Sequence, residues 1–144
     1  MSTRTAQAVW NGKLKEGNGT MAFGGGAFNG QYSFNSRFAE GEGTNPEELI
    51  AAAHAGCFSM ALSGDLEKAG FDPQLIETTA NVELETVDGK PTVTRIRLQS
   101  EATVADIDAA RFAEIAEGTK LNCPISRLLM PGTEITLDAR LAVV

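Results

Sequence analysis

Apolar positions along the chain change period several times. From Thr5 to Trp10 they alternate loosely, Asn11-Gly12 gives a turn signal, and glycines crowd residues Gly17 to Gly30. This predicts a β meander with flexible connections. From Gln31 to Phe38, Tyr32, Phe34 and Ser36 alternate with Ser33, Asn35 and Arg37, which predicts a strand with Arg37 near its end. Gly17-Asn18-Gly19-Thr20-Met21-Ala22 spaces its glycines like a dinucleotide fingerprint. No buried apolar strand leads into it, and Gly24-Gly25-Gly26 follows where a helix should open, so the match is rejected.

A helix start is written at Asn45-Pro46-Glu47-Glu48: Asn45 can cap, Pro46 suits the first helical position, and two carboxylates complement the positive end of the dipole. The segment then runs without a charge from Leu49 to Gly64 and stops before Gly70, which predicts a buried central helix. Leu75 to Val87 and Thr92 to Val104 alternate strongly around Asp88-Gly89, the signature of a hairpin of two long antiparallel strands. Asp106 or Asp108 can cap a second helix carrying Phe112, Ile115 and Ala116. Asn122-Cys123-Pro124 interrupts it, and a short helix runs on through Met130. Thr133 to Val143 closes the chain as a strand. The order predicts an α+β fold, with antiparallel strands wrapped around long central helices.

At 144 residues, with 42% hydrophobic and 22% charged positions, the chain is expected to form a single domain, residues 1–144. No stretch approaches the roughly 18 apolar residues of a membrane span, and no apolar signal follows Met1, so a cytoplasmic protein is expected and Asn18-Gly19-Thr20 is an idle glycosylation match. Nineteen acidic residues against twelve basic ones give a net charge of −7, which repels nucleic acid. In a reducing compartment the two cysteines, Cys57 and Cys123, are expected as thiols, capable of a transient disulfide. Cys57 lies in the middle of the apolar helix and needs a cation to become a thiolate, whereas Pro124 places Cys123 at a helix N-cap.

The run Asn45-Pro46-Glu47-Glu48-Leu49, followed by Ala52-Ala53-His54-Ala55-Gly56-Cys57-Phe58-Ser59-Met60-Ala61, resembles the signature of the osmotically inducible protein C (OsmC) family. Trp10-Asn11-Gly12, Phe34-Asn35-Ser36-Arg37-Phe38, Cys123-Pro124 and Glu134-Ile135-Thr136-Leu137-Asp138 extend the likeness over nearly the whole chain. The family also includes the organic hydroperoxide resistance (Ohr) proteins. His54 stands where the Ohr branch is expected to carry tyrosine, and the placement of Arg37 before Cys57 also favours the OsmC branch. The resemblance implies an intertwined homodimer and a peroxidase of oxidative or osmotic stress defence. It implies that Cys57 attacks an organic hydroperoxide and becomes a sulfenic acid, that Cys123 condenses with it, and that Arg37 and Glu47 hold Cys57 as thiolate. It implies no bound cofactor and an external dithiol reductant of dihydrolipoamide type, free or on a lipoylated protein. Such chemistry suits these residues: Arg37 is permanently cationic, Glu47 can grip its guanidinium with both oxygens, and condensation protects a sulfenic acid from overoxidation.

Phe58 and Met60, flanking Cys57, predict an apolar crevice that favours organic hydroperoxides over hydrogen peroxide. Ten residues separate Glu47 from Cys57, about 15 Å along one helix and about 80° around it, so the glutamate serving each Cys57 is expected from a partner chain. Two other readings stay open. His54 and Cys57 share a helix face and could join Cys123 and Glu47 in a zinc site, or a crevice beside Cys57 could bind lipid-like ligands without catalysis.

Overall fold

A computed structural model describes residues 1–143. The chain folds as two compact units, residues 1–49 and 50–144. The first is an antiparallel meander of β1 (Ala6–Asn11), β2 (Asn18–Phe23) and β3 (Phe28–Tyr32), with a single 3-10 turn at Gly24–Gly26 between the last two strands. The residues that mimic a dinucleotide loop are therefore largely strand. Gly19 has a steric reason: a Cβ there would lie 2.6 Å from the Tyr32 ring and 2.8 Å from Trp10, rings whose centroids are 5.2 Å apart.

The strand expected from Gln31 to Phe38 ends at Tyr32, and the rest is a helix, α1 (Phe34–Phe38). Ser33 extends its backbone and caps α1: its Oγ accepts the Ser36 N–H at 3.1 Å while Ser36 Oγ accepts the Ser33 N–H at 2.8 Å. This reciprocal pairing satisfies backbone donors that a strand edge would leave to water, and it outweighs the alternation. Arg37 thus stands in the last turn of α1. Asn45 opens α2 (Pro46–Lys68) as expected, accepting the Glu48 N–H at 2.8 Å and donating to the Ser36 carbonyl at 2.9 Å.

In the second unit, α2 lies against a sheet ordered β4 (Pro73–Val87), β5 (Lys90–Val104), β6 (Glu134–Leu141). The β4–β5 turn carries positive φ at both Asp88 (50°) and Gly89 (75°), as a two-residue hairpin with the twist of its strands requires. One pairing differs from the all-antiparallel expectation. α3 (Ala109–Asn122) and α4 (Pro124–Leu129) carry the chain across before β6, which pairs with β5 in parallel, from Arg95 opposite Glu134 to Ala102 opposite Leu141. Central β5 alternates strictly from Arg95, burying Ile96, Leu98, Ser100 and Ala102. Against that face pack Phe58, Leu62 and Leu66 of α2 and Phe112 and Ala116 of α3, the large side chains contributing about 1.5–3 kcal/mol each.

The helix α2 is less buried than its composition predicts. Only His54, Phe58, Leu62 and Leu66, one residue per turn, are fully covered. Ala52, Ala53, Gly56 and Met60 are exposed, Met60 by 82%. By length and composition α2 could cross a bilayer, contrary to the expectation, yet its covered stripe is packed in a protein core.

Candidate active site

Cys57 and Cys123 meet in the second unit. Cys57 is half-buried on α2, and Cys123 is buried, ending α3 and capping α4; both are free thiols. Pro124 at the first position of α4 has no N–H, so Ile125 and Ser126 present the first donors. The Ser126 N–H points at Cys123 Sγ, 3.4 Å away, and the Ile125 N–H acts on Cys57 by lowering its pKa. Cys123 is the titratable neighbour of Cys57. Burial pushes the Cys57 thiol above its ordinary range, Cys123 pushes it the same way, and the Ile125 N–H opposes both. The pair is a dithiol whose partners already adjoin. In this setting Cys57 stays protonated until a cation is supplied.

Arg37 and Glu47 meet in the first unit. Arg37 Nε donates to both carboxylate oxygens at 3.2 Å and Nη2 to Oε1 at 2.7 Å. The Glu47 side chain is 12% exposed and that of Arg37 37%, so the guanidinium is gripped on one side and open on the other. Beside it lies a cavity of about 240 Å³ lined by Trp10, Leu14, Tyr32, Phe34, Phe38 and Arg37 itself. This corrects the expected crevice: Phe58 is wholly buried in the core and Met60 stands in solvent, while the aromatic cavity is built on α1 and the meander.

His54, weighed from the sequence as a zinc ligand beside Cys57, is fully buried with Nε2 2.8 Å from Ser126 Oγ. Burial lowers its pKa, keeping the ring neutral. Ser126 escaped the sequence reading, although a signal existed: it occupies the third position of a helix capped by Cys123, where a capping side chain meets the backbone. Among the described residues no group of three or more His, Cys, Asp or Glu is arranged to hold a metal ion. Chemically, the arrangement offers two adjoining thiols able to close a disulfide and a guanidinium fixed for an anion.

Comparison with known proteins places these residues in a family. The profile described as "OsmC-like protein" matches residues 39–138. Peroxiredoxin OsmC of Escherichia coli (strain K12) is 50% identical over 139 residues, 96% of each chain. An organic hydroperoxide resistance protein-like relative from Mycoplasma pneumoniae is 33% identical over 88 residues, covering 60% of this chain and 61% of its own. Among solved structures, the organic hydroperoxide resistance protein OhrB of Bacillus subtilis has a TM-score of 0.75 at 24% identity, covering 94% of this chain and 97% of its own. An organic hydroperoxide resistance protein from Elizabethkingia anophelis has a TM-score of 0.79 at 20% identity, with 98% and 99% covered. The two likenesses in structure bear out the α+β fold, the match over residues 39–138 spans most of the chain, and the near relative fixes the branch: the chain belongs to the OsmC-like protein family, on its OsmC side.

Proposed function

We propose that this protein is a cytoplasmic cysteine peroxidase that reduces organic hydroperoxides to alcohols in stress defence. The adjoining free thiols of Cys57 and Cys123 carry the reading, and the half-identical relative named a peroxiredoxin supports it. Cys57 as thiolate attacks one peroxide oxygen; the O–O bond breaks, the alkoxide leaves with a proton as alcohol, and Cys57 becomes a sulfenic acid. Cys123 attacks that sulfur, a disulfide forms and water departs. A dithiol of dihydrolipoamide type, free or carried on a protein, restores both thiols by exchange. Arg37, held by Glu47, supplies the cation that Cys57 lacks in its own surroundings and orients the peroxide.

The same reading makes the working unit a homodimer. Because Glu47 and Cys57 stand ten residues apart on the unbroken helix α2, about 15 Å along its axis, each Cys57 takes its Arg37–Glu47 pair from a second copy. The exposed apolar face of α2 at Ala52, Ala53, Gly56 and Met60 supports such packing, since small residues let two backbones approach closely.

The test is turnover with cumene hydroperoxide, a fatty-acid hydroperoxide and hydrogen peroxide, each with dihydrolipoamide or glutathione. Organic hydroperoxides with dihydrolipoamide should be consumed fastest. Cys57→Ser should abolish consumption, and Cys123→Ser should allow one oxidation and then accumulate Cys57 sulfinic acid, seen by mass spectrometry. Undiminished turnover by Cys57→Ser overturns the proposal.

A further inference from the structure

Three side chains of the second unit form one hydrogen-bonded line that starts beside Cys57. Cys57 neighbours Cys123, the Cys123 thiol donates to Ser126 Oγ at 3.2 Å, and Ser126 Oγ lies 2.8 Å from His54 Nε2. There the line ends, because His54 Nδ1 is buried without a partner. His54 and Ser126 are both fully covered, and Cys123 is 1% exposed. Packing alone does not account for the imidazole. It occupies the first place of a stripe otherwise made of Phe58, Leu62 and Leu66, where an apolar side chain would fill the site without burying an unsatisfied nitrogen.

We propose that His54, acting through Ser126, is a positioning residue that stabilises Cys123 as the attacking thiolate in the resolving step; this rests on the peroxidase reading above. A buried N–H without a partner is costlier than a bare acceptor, so the proton of the neutral ring belongs on Nε2, donating to Ser126 Oγ, and Nδ1 is the bare nitrogen. The serine oxygen then accepts from His54 and from the Cys123 thiol, and its own hydrogen is free to turn. Once the Cys123 proton leaves, the sulfur can only accept. The Ser126 hydroxyl then turns toward it, while the His54 N–H keeps the oxygen in place and strengthens its donation. The step balances without a further reagent: the S–H of Cys123 and the S–O of Cys57 break, the S–S bond forms, and the hydroxide of the sulfenic acid leaves as water with the thiol proton.

The experiment mixes reduced protein with one equivalent of cumene hydroperoxide, quenches at intervals and measures dimedone-trapped Cys57 sulfenic acid and Cys57–Cys123 disulfide by mass spectrometry. In Ser126→Ala and His54→Leu the passage from sulfenic acid to disulfide should slow about tenfold relative to the wild type, as expected for losing one hydrogen bond to a developing anion. His54→Gln, whose amide can still donate to Ser126, should recover most of the rate. A role in packing alone predicts the reverse order, with apolar Leu outperforming Gln. Disulfide formation at the wild-type rate in both Ser126→Ala and His54→Leu, or a faster Leu than Gln, overturns the proposal. If His54→Leu fails to fold, Ser126→Ala, which removes a single oxygen, decides the matter together with His54→Gln. Wild-type protein that leaves the peroxide untouched refutes the peroxidase reading and this inference with it, an outcome distinct from a normal wild type with unaffected variants.

Discussion

Burial and the neighbouring Cys123 both raise the Cys57 pKa from its ordinary value of 9.0, and a single backbone N–H, from Ile125, lowers it. Only the thiolate attacks peroxide, so a Cys57 left to those neighbours reacts slowly at neutral pH and faster as pH climbs through its raised pKa. A guanidinium beside the sulfur reverses this by favouring the anion. Arg37→Met should therefore lower the rate of the first oxidation by roughly tenfold or more at neutral pH, one pKa unit being worth about 1.36 kcal/mol, and the deficit should shrink toward alkaline pH. Stopped-flow peroxide consumption across pH is the measurement. A variant matching the wild type at every pH would remove Arg37 from the chemistry. Cys57, Cys123, Arg37 and Glu47 stood out in the sequence because each is of a type the proposed reaction uses and each falls within a motif; the fold pairs Arg37 with Glu47 and sets Cys123 beside Cys57. Ser126 did not stand out: a buried serine acquires meaning only from the sulfur and imidazole that the fold brings to it.

The segment around Arg37 shows how one cap can override a periodic pattern. Alternation from Gln31 to Phe38 favoured a strand, but Ser33 and Ser36 exchange hydrogen bonds and wind the last five residues into α1. Ser36 also donates to the Thr44 carbonyl at 2.7 Å, tying α1 to the approach to α2. Ser33→Ala should cost about 1 kcal/mol of stability, as loss of an N-cap does, and should weaken peroxidase activity by loosening the turn that presents Arg37 to Glu47. Chemical denaturation beside turnover would check both, and an unchanged midpoint would show that the cap contributes nothing. Elsewhere local signals were sufficient. Asn45-Pro46 started α2, Asp88-Gly89 made the hairpin, and Pro124 set Cys123 as a cap, because each depends on the φ range or donor count of residues adjacent in sequence.

For the whole molecule, the proposed pairing of copies makes a prediction that neither single variant can imitate. Cys57→Ser lacks the nucleophile, and Glu47→Ala releases Arg37. In a heterodimer of the two, a shared site would unite an intact Cys57 from one chain with an intact Glu47 from the other. Mixing the variants under subunit exchange should raise activity above either parent, toward about half the wild-type value, since one of two equivalent sites is restored. Verified heterodimers without any gain, when Glu47→Ala alone is crippled, would place the glutamate within its own chain. By itself the sequence determined the element order from α2 onward, the start of α2, the Asp88-Gly89 turn and the family, because caps, turns and period-two burial are written in neighbouring residues. The tertiary structure alone decided that β6 runs parallel to β5, that α2 buries one stripe and exposes another, that the aromatic cavity belongs to Trp10, Tyr32 and Phe34 rather than Phe58, and that His54 reaches Cys123 through Ser126. These are contacts between residues far apart in the chain, and pairing across such distances depends on how whole faces pack, which no local pattern encodes.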